Sequence, residues 1–245
     1  MYEGKTVSVA IATYREKKTI KSVLDNFYKT NFVDEIIVID NNAEKGTYKE
    51  ITKSTPFKKG IVKIYYEKKQ GYGYAYKTAI KKASCDYIVI CEADGSLKAS
   101  DIEKFLVYSR DFDVVLGTRT SQIGSLSGTG MGIIRKFANV LEAKTIEILF
   151  NSVALTDVGC TYKLFKKEAL KKNISKWSNN GTALFNTELT LHVVTQNLKF
   201  VEIPISYTKS TRKSAIVGRW WQTINWAIVI QIYIFYFFIK QKFNF

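Results

Sequence analysis

The sequence predicts an α/β protein with a mostly parallel central sheet flanked by helices. Short apolar runs rich in Val, Ile and Tyr alternate with stretches in which apolar residues recur at helical spacing. Because the predicted strands are apolar at nearly every position, they are typical of a parallel sheet that is covered on both faces. The predicted strands are Val7–Ala12, Glu35–Asp40, Ile61–Glu67, Tyr87–Cys91, Asp113–Gly117 and one around Lys199–Ser206.

The connections between the strands contain helices and one long loop. Residues 117–132 are rich in Gly, Ser and Thr, which predicts a mobile loop of a length that usually carries function. Residues 155–172 predict a turn that leads into a short basic helix. Three predicted helices have apolar residues at helical spacing: Ile20, Val23, Leu24 and Phe27; Tyr72, Tyr76, Ile80 and Ala83; Ile134, Phe137, Leu141 and Ile148.

The chain is strongly basic and long enough to bury a core. Its 245 residues include 37 Lys and Arg against 22 Asp and Glu, which gives a formal charge of +15. This excess is typical of proteins that meet nucleic acid, an anionic membrane or phosphate-bearing substrates, but charge alone favours a plain lysine-rich surface. The three cysteines form no metal-ligand spacing with His192, the only histidine, which favours a reducing compartment. The first residues lead straight into a strand, so no signal peptide is expected.

Acidic side chains stand where two of the predicted strands end. Asp40 ends the second strand, and Glu92 and Asp94 directly follow the fourth. Since ligands of open parallel sheets bind beyond the carboxyl ends of the strands, we expect these carboxylates to lie along one edge. In so basic a chain they predict a divalent cation, Mg²⁺ or Mn²⁺, that bridges the protein and a diphosphate. The alternative is that Glu92 and Asp94 only cap the turn that follows.

The common nucleotide-binding fingerprints are absent from the sequence. The first strand is followed by ATYREKKT without a glycine, and no GxxxxGK[ST] occurs. This argues against a dinucleotide-binding fold and against a Walker-type ATPase. Gly71 and Gly73 stand at the predicted start of a helix, where the backbone can approach a ligand closely.

Several ordered segments resemble a known family. They are VSVAIATYREKKTI (Val7–Ile20), EIIVIDNN (Glu35–Asn42), EKKQGYGYAYKTAIKKASCDYIVICEADGS (Glu67–Ser96), FDVVLGTRT (Phe112–Thr120), TDVGCTYKLFKKEAL (Thr156–Leu170) and FNTEL followed by FVEIPISY (Phe185–Tyr207). In this order they resemble the family 2 glycosyltransferases with the GT-A fold, and in particular the dolichyl-phosphate mannose synthase-like branch. Several motifs in one order are far more specific than any single motif.

The resemblance implies an enzyme that uses a nucleotide-diphosphate sugar and a divalent metal. The metal-binding DxD motif of the family corresponds here to Glu92-Ala93-Asp94, so Asp94 is expected as the metal ligand and Glu92 departs from the pattern. Arg15 is a second departure, since it stands where the family usually has Asn. The residues expected to contact the donor are Thr13, Tyr14, Glu16, Asp40, Gly71, Gly73 and Glu92.

The acceptor decides which further groups the reaction needs. The leaving nucleoside diphosphate is expected to be stabilised by the metal at Asp94 and Glu92, and by cationic side chains. A hydroxyl acceptor needs a general base, for which Asp157 and Glu188 are the candidates. A lipid phosphate is already ionised and needs only cationic positioning. The candidate phosphate ligands are Arg119, Arg135, Lys209, Arg212 and Lys213, and the last three resemble the basic substrate-covering loop of the polyprenyl-phosphate branch.

An apolar segment at residues 220–239 predicts membrane association. A helix of this length is about 30 Å long, close to the hydrocarbon thickness of a bilayer. Arg219 precedes the segment, Lys240 and Lys242 follow it, and its tryptophans suit a membrane interface. The segment is expected to span the bilayer as a helix, with a helix in the interface plane, a buried core helix or a strand as the alternatives. The predicted domains are 1–215, the GT-A domain, and 216–245, the membrane-associated helix.

The leading hypothesis is an inverting, metal-dependent glycosyltransferase at the cytoplasmic face of a membrane, with a polyprenyl-phosphate or other lipid-linked acceptor. Extension of a surface polysaccharide through a hydroxyl acceptor is the alternative in the same class. A sugar-nucleotide-forming nucleotidyltransferase would require a glycine-rich loop after the first strand. A basic, non-catalytic module that binds nucleic acid or membrane would not explain why Asp40, Glu92 and Asp94 lie at one edge of the sheet. No nucleic-acid partner is expected, and the sequence leaves a homo-oligomer open.

Overall fold

A seven-stranded sheet forms the centre of the protein. The structure is a computed structural model, which describes residues 1–120, 132–171, 174, 177, 184–196, 198–208 and 220–243. The strands are β1 (Val7–Thr13), β2 (Glu35–Asp40), β3 (Val62–Tyr66), β4 (Tyr87–Glu92), β5 (Val114–Thr118), β6 (Lys163–Lys166) and β7 (Phe200–Pro204). Their order is β3-β2-β1-β4-β6-β5-β7, and neighbours are parallel except at β6, which is antiparallel to β4 and β5.

Helices cover both faces of this sheet. Those of the described chain are α1 (Ile20–Lys29), α2 (Thr47–Thr52), α3 (Thr55–Lys58), α4 (Tyr72–Lys82), α5 (Ile102–Tyr108), α6 (Ile133–Phe150), α7 (Lys167–Lys171), α8 (Leu184–Thr195) and α9 (Trp220–Phe243). Helices α1, α2 and α5 share one hydrophobic cluster with the sheet. Helices α4, α6, α8 and α9 share the cluster on the other face.

The apolar strands bury residues on both faces, as the sequence predicts for a covered parallel sheet. Val9 and Ile11 of β1 pack in the cluster of α1 and α5, whereas Ala10 between them packs in the cluster of α4. This alternation follows from the two-residue period of a strand. The α/β fold class with a mostly parallel sheet is therefore confirmed.

One strand of the sheet was not predicted. Residues 155–172 were expected to form a turn and a basic helix, but Lys163–Lys166 form β6 before the helix α7 begins. Four residues with a lysine at each end carry too little apolar pattern to indicate a strand. Pairing with β4 and β5 stabilises β6, and Lys163 is 1% exposed. Of the predicted loop at 117–132, residues 117 and 118 belong to β5, and residues 121–131 lie outside the described chain.

The two apolar helices α6 and α9 pack against each other at the protein surface. The helical spacing of Ile134, Phe137, Leu141 and Ile148 is confirmed by α6, yet all four side chains are exposed. Helix α9 is long and apolar enough to cross a membrane, and only 11% of its most apolar 18-residue window is buried. The alternative of a buried core helix is therefore wrong. The predicted boundary at residues 215 and 216 lies outside the described residues.

The topology brings the predicted site residues to one edge of the sheet. Strand β1 lies between β2 and β4, and all three run in parallel. The register pairs Thr13 with Asp40 and Ala12 with Glu92, so the ends of the three strands are level. Strand β5 has the same direction, because two antiparallel pairings separate it from β4. Arg119, which follows β5, therefore lies at the same edge.

Candidate active site

The turn after β4 fixes the position of Asp94. Asp94 Oδ1 accepts hydrogen bonds from the backbone N of Ser96 at 3.0 Å and from its hydroxyl at 2.7 Å. Gly95 between them has a φ of 76°, a left-handed conformation in which glycine has no steric cost. Thr19 at the start of α1 donates to the carbonyl of Ala93 at 2.7 Å. The carboxylate of Asp94 is thus held on a short turn, and the hydrogen bond from Thr19 joins this turn to the start of α1.

The loop after β1 is organised by Glu16. Its Oε2 accepts hydrogen bonds from the backbone N of Tyr14 at 2.6 Å and of Arg15 at 2.9 Å, and the hydroxyl of Thr13 lies at 3.3 Å. Glu16 is 5% exposed. The sequence predicts Thr13, Tyr14 and Glu16 as donor contacts, and the geometry gives Glu16 the additional task of shaping this loop. Arg15 stacks over the ring of Tyr14, 4.9 Å from its centroid.

The end of β2 fastens the loop that precedes α4. Asn41 donates from Nδ2 to the carbonyls of Glu67 at 2.9 Å and Lys69 at 2.8 Å, and its Oδ1 accepts from the backbone N of Gly71 at 3.0 Å. The preceding residue, Asp40, accepts from the backbone N of Ala43 at 2.8 Å. Sequence reasoning passed over Asn41. The signal for it is a polar residue directly after the strand, whose side chain can replace missing backbone partners.

Glu92 accepts its hydrogen bonds from a cluster of hydroxyl groups. Its Oε1 accepts hydrogen bonds from Thr161 at 2.6 Å and from the phenol of Tyr72 at 3.3 Å. Thr161 is also contacted by the side-chain amide of Asn186 at 3.2 Å. Burial raises the pKa of Glu92, and the negative charge of Asp94 raises it further. A cation between the two carboxylates would remove this mutual repulsion.

The residues present fit a divalent cation that is shared with a diphosphate. In the part of the chain that the structure describes, no three His, Cys, Asp or Glu side chains cluster as a complete metal cage. Mg²⁺ and Mn²⁺ sites on nucleotides need fewer protein ligands, because one or two carboxylates suffice when phosphate oxygens and water complete the coordination. Asp94 and Glu92 supply that number; burial raises the pKa of Glu92 most, and the charge of Asp94 raises it further.

Arg119 and Asp157 form a buried, bidentate ion pair. The guanidinium donates from Nε to Oδ2 at 2.7 Å and from Nη2 to Oδ1 at 2.8 Å, and the backbone N of Arg119 donates to Oδ2 at 3.0 Å. Burial alone would raise the pKa of Asp157, but the charge and hydrogen bonds of Arg119 outweigh it, so the pKa lies below its ordinary value. Both oxygens of Asp157 are therefore occupied, and the carboxylate is a weak base.

Further charged groups surround this ion pair. Glu202 of β7 accepts from the backbone N of Asp157 at 2.9 Å and from the hydroxyl of Thr156 at 2.8 Å. Lys163 of β6 donates from Nζ to the carbonyl of Cys160, and burial lowers the pKa of Lys163. The arrangement holds opposite charges close together, which offsets the cost of removing them from water. The face of Arg119 that remains stacks on Tyr207, 5.4 Å from the ring centroid.

Glu142 is a buried carboxyl group on the same side of the site. It lies on the inner face of α6 and is 3% exposed. Burial, together with the negative charge of Asp157, raises the pKa of Glu142 from 4.5 to about 8. Sequence reasoning missed both Glu142 and Lys163, because a charged residue in a helix or short strand carries no sign of burial in a single sequence.

The remaining predicted residues are distributed around this edge. Glu188 lies on α8, is 2% exposed, and has His192 Nε2 at 4.0 Å from its Oε1. Arg135 lies in the first turn of α6, and its positive charge acts on the pKa values of Glu92 and Tyr207. The last three predicted phosphate ligands lie outside the described residues: Lys209, Arg212 and Lys213.

The family of the chain follows from its sequence. A sequence model of glycosyl transferase family 2 matches residues 8–174. The chain therefore belongs to this family and is a glycosyltransferase, which confirms the predicted enzyme class. Its fold agrees with this membership, since it is similar to glucosyl-3-phosphoglycerate synthase from Mycobacterium tuberculosis, whose structure contains Mn²⁺, UDP and glucosyl-3-phosphoglycerate. The TM-score is 0.67 at 15% identity, over 94% of this chain and 80% of that one.

Two similar proteins act on dolichyl phosphate by name. The UDP-N-acetylglucosamine–dolichyl-phosphate N-acetylglucosaminyltransferase of Methanococcus voltae is 28% identical over 184 residues, 68% of this chain and 72% of the relative. The dolichyl-phosphate beta-glucosyltransferase of Saccharomyces cerevisiae is 24% identical over 223 residues, 82% of this chain and 66% of the relative. The poly-beta-1,6-N-acetyl-D-glucosamine synthase of Staphylococcus aureus is 21% identical over 230 residues, 92% of this chain and 54% of the relative.

Proposed function

We propose that this glycosyltransferase moves a sugar, with inversion, from a nucleotide-diphosphate sugar to a polyprenyl-phosphate-type acceptor at the cytoplasmic face of a membrane. The observation that carries the choice of acceptor is the ion pair between Arg119 and Asp157. Because Arg119 occupies both oxygens of Asp157, this carboxylate is poorly suited to remove a proton from a hydroxyl. A phosphate acceptor is ionised at neutral pH and requires no such step.

The donor would lie across the ends of β1, β2 and β4. Asp40 and the loop that carries Thr13 and Tyr14 would contact the base and ribose, as the resemblance to the family implies. Asp94, with Glu92 beside it, would hold Mg²⁺ or Mn²⁺ against the diphosphate. When bound, the cation acts as a Lewis acid that stabilises the charge on the leaving nucleoside diphosphate.

The reaction needs only one bond to form and one to break. An oxygen of the acceptor phosphate attacks the anomeric carbon from the face opposite the diphosphate. The bond from that carbon to the diphosphate oxygen breaks, and its electron pair leaves with the nucleoside diphosphate. Arg135, whose positive charge lowers the pKa of Glu92, would balance the negative charge of the incoming phosphate.

The similar proteins support this proposal on the acceptor and on the metal. Two of them carry dolichyl phosphate in their names, and the solved structure with the similar fold contains Mn²⁺ and UDP. The similarity to a poly-N-acetylglucosamine synthase favours the second candidate, transfer to a sugar hydroxyl. For that reaction Glu188 would be the remaining candidate base, and it is 2% exposed.

A transfer assay tests the proposal. The purified protein is mixed with MnCl₂ or MgCl₂, a panel of radiolabelled UDP- and GDP-sugars, and a polyprenyl phosphate in detergent. We expect label to enter the lipid fraction with at least one donor, and EDTA to abolish the transfer. Release of free sugar alone, or transfer that persists in EDTA, would contradict the proposal.

A further inference from the structure

The exposed side of α6 is apolar, whereas part of its buried side is polar. Ile133, Phe137 and Ile148 are 77%, 69% and 81% exposed, while Asn139 and Glu142 face the protein interior. Large apolar side chains scattered singly over a surface need no explanation, but a stripe along one helix indicates a surface that is covered by something else. The helical spacing that the sequence shows in α6 therefore marks a docking side.

Helix α9 continues this apolar side. Phe150, at the end of α6, contacts Phe237 and Phe238 of α9 with ring centroids 6.2 and 5.4 Å apart. The side of α9 that faces away from the protein is mainly apolar and aromatic, with Asn225 as a polar exception before the basic last turn. Its exposed apolar residues are Trp220, Trp221, Ile224, Ile228, Val229, Ile232, Phe235, Tyr236, Ile239 and Phe243. We call the exposed apolar residues of α6 and α9 together the outer face.

The contacts of α9 with the rest of the protein indicate how it meets a membrane. Its buried residues are Ile234 and Phe237, and Phe237 also packs on His192 of α8 at a centroid distance of 5.4 Å. The helix has 24 residues and is about 36 Å long, so these contacts lie past its midpoint. If α9 crossed a bilayer, α8 with His192 and Glu188 would enter the hydrocarbon beside it, where ionisable groups are costly. A helix that lies in the plane of the membrane interface avoids this cost.

The charges and aromatic residues around the outer face match an anionic bilayer. Arg135 and Lys136 lie in the first turns of α6, and Lys240 and Lys242 lie at the end of α9. Basic residues beside an apolar helix face attract anionic headgroups, and tryptophan and tyrosine favour the same depth. The formal charge of +15 adds to this attraction. A second copy of so basic a chain would instead be repelled.

We propose that the outer face docks flat on an anionic lipid bilayer, with α9 in the interface plane and not across the membrane. Arg135, a residue of the predicted site, lies in the first turn of α6, the helix that carries part of the outer face, so docking places the site near the lipid headgroups. A polyprenyl phosphate can then reach the site without leaving the bilayer. The inference rests on the proposed function for its lipid acceptor, but docking itself is measured without donor or acceptor.

Vesicle binding tests the contribution of α6. The double variant Phe137→Asp, Ile148→Asp is compared with Val107→Asp, which changes an exposed apolar residue of α5 on the other face of the sheet. Partitioning onto sealed vesicles of phosphatidylglycerol and phosphatidylcholine is measured by flotation. We expect the double variant to partition about tenfold more weakly or worse, and the control within about twofold of the parent.

Two further readouts keep this test decisive. Binding of soluble UDP- and GDP-sugars to the double variant, measured by thermal shift, shows that the protein is folded and tests the proposed function separately. Unchanged partitioning of the double variant would overturn the inference. A dimer of the parent chain that dissociates in the double variant would also overturn it, because the outer face would then be covered by a second copy of the chain. Loss of donor binding with normal partitioning would count against the proposed function only.

Cysteine labelling tests whether α9 lies in the plane. The three native cysteines are buried, so a single new cysteine can be labelled selectively. Thr223→Cys and Lys242→Cys, near the two ends of α9, are compared with Glu103→Cys on α5 as a marker of the catalytic side. With a membrane-impermeant maleimide on sealed vesicles, we expect both α9 positions to react from the same side as the marker. If one of the two α9 positions reacted only from the side opposite the marker, α9 would span the bilayer, and the inference would be overturned.

Discussion

The proposed site has two halves, one for the donor and one for the acceptor, and they use carboxylates in opposite ways. In the donor half, at the ends of β1, β2 and β4, Asp94 is held by backbone and hydroxyl groups of its own turn. In the acceptor half, at β5 and β6, Asp157 is neutralised by Arg119 and buried. A carboxylate bound by neutral groups keeps its negative charge available for a cation, whereas one paired with arginine serves to position the arginine. The sequence shows an acid in both places, and only its partners distinguish the two tasks.

Removing Asp157 should have the largest effect, because its partner would remain charged and buried. We expect Asp157→Ala to lower the free energy of unfolding by about 3–5 kcal/mol, the usual cost of breaking a buried pair. Urea denaturation followed by circular dichroism measures it. The matched control is Glu50→Ala, which removes the exposed pair with Lys53 and should cost far less, because water screens exposed charges. Equal costs for both variants would show that the acceptor half does not depend on this pair.

Asp94→Asn tests the donor half by the opposite logic. The change should leave stability nearly unaltered, because the amide oxygen still accepts the hydrogen bonds of Ser96. Transfer should fall by about 100-fold or more, as expected for loss of a metal that stabilises the leaving group by several kcal/mol. Sugar transfer at saturating Mn²⁺, with unfolding measured in parallel, checks both parts. A variant that loses stability but not activity would reverse the comparison between the two halves.

Glu142 makes the stability of the acceptor half depend on pH. Its pKa is raised from 4.5 to about 8, so the folded protein binds one proton more than the unfolded chain between these values. The stability contributed by the protonated group is therefore lost as pH rises from 4.5 to 8, by about 1.4 kcal/mol per unit at most. We expect Glu142→Gln to be more stable than the parent at pH 8 and to lose this advantage near pH 5. The control Glu103→Gln, on an exposed helical acid, should follow the parent at every pH.

Glu92→Gln should have the smallest effect of the four. The side-chain amide keeps an oxygen for Thr161 and Tyr72 but removes the charge that repels Asp94. We expect transfer to fall by about tenfold, in the range found for groups that support a metal ligand. A titration of activity against Mn²⁺ concentration measures it. A loss larger than that of Asp94→Asn would make Glu92 the principal ligand and Asp94 the supporting one.

The sheet and the donor half could be predicted because short-range patterns determine them. Strand β2 was predicted to the residue and β4 to within one, since a covered strand is a continuous apolar run bounded by polar residues. Asp40, Glu92 and Asp94 follow such runs directly, so the parallel topology alone brings them to one edge.

The acceptor half and the outer face could not be predicted in the same way. Arg119 and Asp157 are brought together by β6, a four-residue strand with too little apolar pattern to recognise. Glu142 depends on which side of α6 faces the protein. The apolar stripe of α6 correctly indicates a helix, but a stripe that packs in a core and one that faces a membrane have the same sequence pattern. In this structure the stripe is exposed.

The choice of acceptor can be tested directly by comparing a polyprenyl phosphate with the corresponding polyprenol. Both are presented in the same anionic vesicles with the same labelled donor and Mn²⁺, and initial rates are measured from pH 6 to pH 8. With no base required, we expect transfer to the phosphate throughout this range and none to the alcohol. Transfer to the alcohol at a comparable rate, rising with pH as a general base ionises, would contradict a phosphate acceptor and favour a hydroxyl one.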